Sequence, residues 1–132
     1  MIGLDTNVLI RYLTQDDATQ AALATQILSS VSQDDPGYVS SVVLAEISWV
    51  LKRAYKEPRE KIADGLEALL RSNDLIIENR DASFRALAIY RNGQSVDFAD
   101  ALIAMIASLA GASKTVTFDK RAAAEAGMRL LA

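Results

Sequence analysis

Four acids in this sequence stand where their carboxylates can act together: Asp5 ends the opening MIGLD, Glu46 lies inside SVVLAEISWVL, Asp100 inside VDFADALIAMIA, and Asp119 inside TVTFDKR. The 132 residues contain no histidine and no cysteine. Thiolate nucleophiles, thiolate-held zinc or iron–sulfur centres, Ser-His-Asp hydrolysis and imidazole acid–base catalysis are therefore excluded. Any catalysis must run on carboxylates, Lys, Arg, Tyr, Ser or Thr, or on a metal held by oxygen. Carboxylates sharing one site repel by roughly 3 kcal/mol per pair at 5 Å in an effective dielectric of 20, so a cluster of four calls for cations. Oxygen-only ligation selects hard ions, Mg²⁺ or Mn²⁺, and one or two of these can orient a water and neutralise charge developing on a phosphodiester.

For the four acids to converge, the elements carrying them must open into one crevice. Short apolar runs predict strands at Ile2–Leu4, Gly37–Val39, Leu75–Ile77, Thr115–Phe118 and Arg129–Leu131. Stretches of helical period predict helices at Asn7–Leu13, Ala18–Val31, Val42–Tyr55, Pro58–Ser72, Ala82–Asn92, Phe98–Ala110 and Lys120–Ala126. This alternation is the signature of an α/β domain with a mostly parallel sheet of about five strands, and nothing divides residues 1–132 into two domains. Asp5 and Asp119 each follow a strand directly, where the carboxyl ends of parallel strands face a common crevice. Either could instead serve only as a helix N-cap.

Glu46 has Val42, Val43, Trp49 and Val50 as its helical neighbours, which predicts a carboxylate on a buried apolar face. There it needs a cation or strong donors, and an ion pair with a Lys or Arg is the plain structural alternative. Asp97 and Asp100 are spaced as an N-cap with an acid one turn later. Asp100 then lies on the flank of an apolar run, facing the same crevice.

The charge balance is mildly acidic, 14 Lys and Arg against 17 Asp and Glu, a formal −3. Five basic residues nevertheless gather between Lys52 and Lys61. No apolar stretch approaches the roughly 20 residues of a membrane span. The opening MIGLDTN lacks a basic segment leading into an apolar one, so a cytoplasmic address is the expectation. Apolar residues at helical spacing in Val8–Leu13 and Ala21–Leu28 suit either core packing or a groove for a partner's amphipathic helix.

The blocks DTNVLIRYL from Asp5, AEISWVL from Ala45, DFADALIAMIA from Asp97 and TFDKR from Thr117, in this order, resemble the acidic blocks of PIN-domain nucleases. Their closest similarity is to the VapC-type toxins of bacterial toxin–antitoxin pairs. The resemblance covers essentially the whole chain. It implies that Asp5, Glu46, Asp100 and Asp119 are the catalytic acids that hold Mg²⁺ or Mn²⁺. It also implies that Asn7 and Thr117 support the site and that Asp97 is an extra acid, either beside the metal site or a cap. Further implications are a three-layer α/β/α sandwich, endoribonuclease activity, a small cognate antitoxin that blocks the groove, and a homodimer. With RNA as substrate, Lys52, Arg53 and Lys56 are candidate phosphate contacts on one rim, the alternative being a solvated helix end. Two other readings stay open. DTNVL also resembles the DxDx(T/V) opening of haloacid-dehalogenase-like phosphatases, although Asn7 stands where that chemistry needs a second Asp and Glu46 is left without a role. A non-catalytic PIN-like binding module would keep the acids without turning over a substrate.

Overall fold

A computed structural model describes all residues, 1–132. The element order is β1 (Ile2–Gly3), α1 (Thr6–Thr14), α2 (Ala18–Ser30), β2 (Gly37–Val39), α3 (Ser41–Arg53), α4 (Arg59–Leu70), β3 (Leu75–Ile77), α5 (Arg80–Asn92), α6 (Phe98–Leu109), β4 (Val116–Thr117), α7 (Lys120–Ala126) and β5 (Arg129–Leu130). Every strand pairing is parallel. None of the helices is long and apolar enough to cross a membrane.

Local chemistry sets the boundaries. The Asp17 side chain accepts the Gln20 N–H at the start of α2, and the Ser40 hydroxyl accepts the Val43 N–H at the start of α3, supplying acceptors that the first turn otherwise lacks. Pro58, with its fixed φ and no N–H, stands at the N-cap of α4. Gly127 ends α7 at φ +70°, a left-handed conformation that glycine adopts without a Cβ penalty.

The five expected strands form, but not as one sheet. β1, β2 and β3 make a three-stranded sheet in that order, and β4 pairs only with β5. The apolar segments mark where short strands lie; which edges share a ladder depends on how the helices pack between them. In the larger sheet, Gly37 sits so close to Leu4 and Leu75 that a Cβ there would lie 2.7 Å from Leu4 Cδ1. A side chain at that position of the middle strand would force the Leu4 and Leu75 side chains to shift.

A main core of 21 buried residues joins Leu4, Val39, Leu75 and Ile77 of the β1–β2–β3 region to α1, α3, α4, α5 and α6. A second cluster, Val96, Ala104, Ala122, Ala126 and Met128, packs α7 and a residue just past its end against α6 and the segment before it. On α3 the core residues are Leu44, Ile47, Ser48 and Leu51, at the i, i+3, i+4, i+7 spacing of a single face. At the far end of α3, the Tyr55 hydroxyl and the Arg11 guanidinium both reach Asp16, at 2.8 and 2.9 Å, and so fix α1 against α3.

Candidate active site

Asp5 follows β1, and its carboxylate is exposed and makes no capping bond to α1. The next residue, Thr6, is buried, and its hydroxyl donates to Glu46 Oε1 at 2.7 Å. This single bond brings the N-terminus of α1, and Asp5 with it, to the Glu46 carboxylate on α3. Glu46 itself is exposed. The burial expected for it is corrected here: Val42 is 68% and Trp49 51% exposed, because α3 is apolar nearly all round and it is the opposite face that packs. No cation pairs with Glu46; its partner is a neutral hydroxyl.

A second group of acids forms where α6 and α7 begin. Asp100 lies in the first turn of α6, partly buried. Burial first, then the negative charges of Asp97 and Asp119, push its carboxyl above the usual carboxylate range, while Arg121 and Lys52 pull it back. Asp97 holds the N-cap position of α6, but its side chain makes no capping bond. Lys52 Nζ donates to Asp97 Oδ1 at 2.7 Å instead, tying α3 to the start of α6. The capping-box expectation for Asp97 and Asp100 thus gives way to an ion pair between residues 45 positions apart.

Asp119 does cap α7. Its Oδ1 accepts the N–H groups of Arg121 at 2.8 Å and Ala122 at 3.0 Å, and Arg121 Nη2 lies 3.4 Å from Oδ2. These bonds, the Ala122 N–H foremost, hold the Asp119 carboxyl below its ordinary range. The Thr117 hydroxyl accepts the Asp119 N–H at 2.9 Å and so fixes the backbone that aims the carboxylate. Glu125 Oε1 accepts three successive N–H groups, from Gln94, Ser95 and Val96, and thereby pins the segment leading into Asp97 to α7.

No three acidic side chains stand close enough to enclose one metal ion. Two sets of contacts organise the acids: Thr6 joins the start of α1, just after Asp5, to Glu46 of α3, and Asp100 feels the charges of Asp97 and Asp119 where α6 and α7 begin. Of the basic candidates, Lys52 is engaged with Asp97, the Arg53 guanidinium stacks 4.2 Å from the Trp49 ring centroid, and Lys56 is exposed at the left-handed φ of +51°. Asn7 is exposed and lines an apolar groove between α1 and α2 with Val8, Leu23 and Ile27. The family model of the PIN domain matches residues 2–127.

The chain belongs to the PIN domain family.

No curated protein matches it at a significant level. PIN domains are typically metal-dependent nucleases, and the α/β arrangement of seven helices with parallel strands fits that family. Residues that a reading of the PIN domain's acidic blocks alone misses are Thr6, Arg121 and Glu125. Thr6 had a local signal, since it stands between Asp5 and Asn7 in DTN. Arg121 is visible only as the second residue after Asp119, and Glu125 carried none, because its three donors lie about 30 positions away.

Proposed function

We propose that this chain is a metal-dependent endoribonuclease and the toxin of a VapBC-type toxin–antitoxin pair. The observation that carries the nuclease reading is Asp100, a partly buried carboxylate forced to share its surroundings with Asp97 and Asp119. Gathered like charges repel, and a carboxylate perturbed in this way, in a family of metal-dependent nucleases, marks a place where an added cation is favoured. Oxygen is the only donor type offered, which suits Mg²⁺ or Mn²⁺. With no three acids enclosing a common point, the arrangement suits an ion that keeps much of its water and takes one or two carboxylates. Asp5, Glu46, Asp100 and Asp119 would hold one or two such ions. When bound, a divalent cation lowers the pKa of water and offsets charge building on the phosphodiester.

The chain's own side chains supply positioning. Thr6 restrains the Glu46 carboxylate at 2.7 Å through its hydroxyl. Thr117 fixes the main chain of Asp119, whose Oδ1 is already turned toward two N–H groups. Lys52 holds Asp97 and offsets one of the charges raising Asp100. Arg53 and Lys56 lie on the exposed side of the α3 terminus, where an RNA phosphate can be met.

The toxin assignment rests on the order of the acidic blocks, and the groove of Val8, Leu23 and Ile27 between α1 and α2 is the surface proposed for an antitoxin helix. A homodimer is proposed on the same resemblance. Purified chain should cut single-stranded RNA in Mg²⁺ or Mn²⁺ and stop in excess EDTA. Cleavage that persists in EDTA, with contaminating nuclease excluded, refutes the metal-dependent reading. Expressed alone, the chain should arrest growth, and co-expression of the adjacent small reading frame should relieve the arrest. A chain that is harmless alone loses the toxin role even if it cuts RNA.

A further inference from the structure

The chain has a single tryptophan, Trp49, and leaves it 51% exposed. Its place on α3 is specific. At 100° per residue, Val42, Glu46, Trp49 and Arg53 fall within about 60° of one another, opposite the packed face of Leu44, Ile47 and Leu51. Along the helix axis, Trp49 lies between two contacts that tie α3 to the acidic groups. Thr6 meets Glu46 one turn before it, and Asp97 meets Lys52 one turn after it. At 1.5 Å per residue those anchor points are about 9 Å apart, a little more than one nucleotide step of an extended strand, with the indole between them.

Neither core packing nor a hydrogen bond accounts for an indole half in water beside carboxylates. The Arg53 guanidinium lies over one face of the ring, 4.2 Å from its centroid, and so sets a positive charge against the indole. An acidic site that must hold a polyanion gains from contacts that do not depend on the anion, and a π-face supplies one for any base. The guanidinium beside it is complementary to the phosphate that accompanies the base.

We propose that Trp49 is a stacking platform for one unpaired nucleobase of the RNA, with Arg53 meeting the adjoining phosphate. This inference rests on the ribonuclease reading and adds to it the position of a base beside Glu46. It selects single-stranded RNA, because a base inside a duplex presents no free face to the indole.

The single tryptophan makes the test direct. A short single-stranded oligoribonucleotide, added in Ca²⁺ to limit turnover, should quench the fluorescence of the wild-type protein. An abasic strand of equal length and charge should leave it nearly unchanged. In steady-state cleavage of a single-stranded RNA, Trp49→Ala should raise KM about tenfold with kcat held within about twofold, and Trp49→Phe should recover most of the loss. Equal quenching by the abasic strand, or an unchanged KM in Trp49→Ala, overturns the platform while leaving the nuclease reading intact. Should Trp49→Ala convert a dimer into monomers on sedimentation without altering KM, the indole belongs to a contact between copies and the platform is likewise overturned. A wild-type protein that neither cuts nor binds RNA removes the ribonuclease reading and the platform with it.

Discussion

The two acidic groups of this PIN domain are built on opposite principles. Near α1 and α3, Glu46 is exposed, stands apart from any cation and is aimed by a neutral hydroxyl. Near α6 and α7, Asp97 is bound by Lys52, Asp119 by Arg121 and two N–H groups, and Asp100 is raised. Exposed charges are screened by water and need little internal compensation. Partly buried ones need it, and the fold supplies cations and N–H groups to two of the three acids. The third is left as the place where an added cation offsets the most charge.

The largest effect that tests this contrast is at Asp100. Asp100→Asn should reduce RNA cleavage by about 100-fold or more, at least what loss of an outer partner to a metal ligand costs. Because its folded-state pKa is raised, ionised Asp100 opposes folding above that pKa. At pH 7 the variant should therefore be as stable as the wild type or more so, the difference closing below the unfolded carboxyl pKa of about 3.9. Asp119 is shifted the other way, so its ionised form supports folding above the unfolded pKa, and that support fades as pH falls through its folded value. Asp119→Ala should abolish cleavage as well, yet lower the urea midpoint at pH 7. If both variants lose stability alike, the two acids are not distinguished by their surroundings.

A smaller effect belongs to the other group. Thr6→Val keeps the buried volume but removes the hydroxyl that holds Glu46. Cleavage should fall by about 10–100-fold while stability changes by no more than about 1 kcal/mol, since water replaces the lost donor at an exposed carboxylate. Thr6→Ser should retain most activity. Equal losses in Val and Ser variants would show that the threonine acts through packing alone.

The smallest expected effect sorts the basic residues. Arg53→Ala and Lys56→Ala should each flatten the salt dependence of RNA binding by about 0.7 in slope, one phosphate contact apiece. Lys52→Ala should leave the slope unchanged, because its ammonium is already committed to Asp97. A reduced slope for Lys52→Ala means that RNA displaces the ion pair.

The sequence made the helices legible because each carries its own period. α7 and the strands β2 and β3 match the expected spans, and the other boundaries move by at most two residues at each end. Asp5 and Asp119 were readable for the same reason: each stands next to a strand end. Glu46 stood out as an acid among apolar residues, but its burial was misjudged because α3 presents apolar side chains both to the core and to solvent. The pairing of Lys52 with Asp97 and the anchoring of the Gln94–Val96 amides by Glu125 depend on helix docking, which no local spacing encodes. For the same reason the short strand segments could be read, but a single sheet of about five strands was expected where there are two smaller ones.

That division has a consequence for how such a groove is adjusted over evolutionary time. Neighbouring strands in a ladder stand about 4.8 Å apart whatever their side chains, but no ladder joins β1 to β4. The separation between the strand ends that precede Asp5 and Asp119 is therefore not quantised by backbone pairing. Helix α6 contributes Phe98, Ala101 and Leu102 to the main core and Ala104 to the smaller cluster, with Met105 packed against both. Side-chain volume on this one helix, which also carries Asp100, therefore bears on both packing units at once, and a methylene-sized change there is expected to shift one unit against the other.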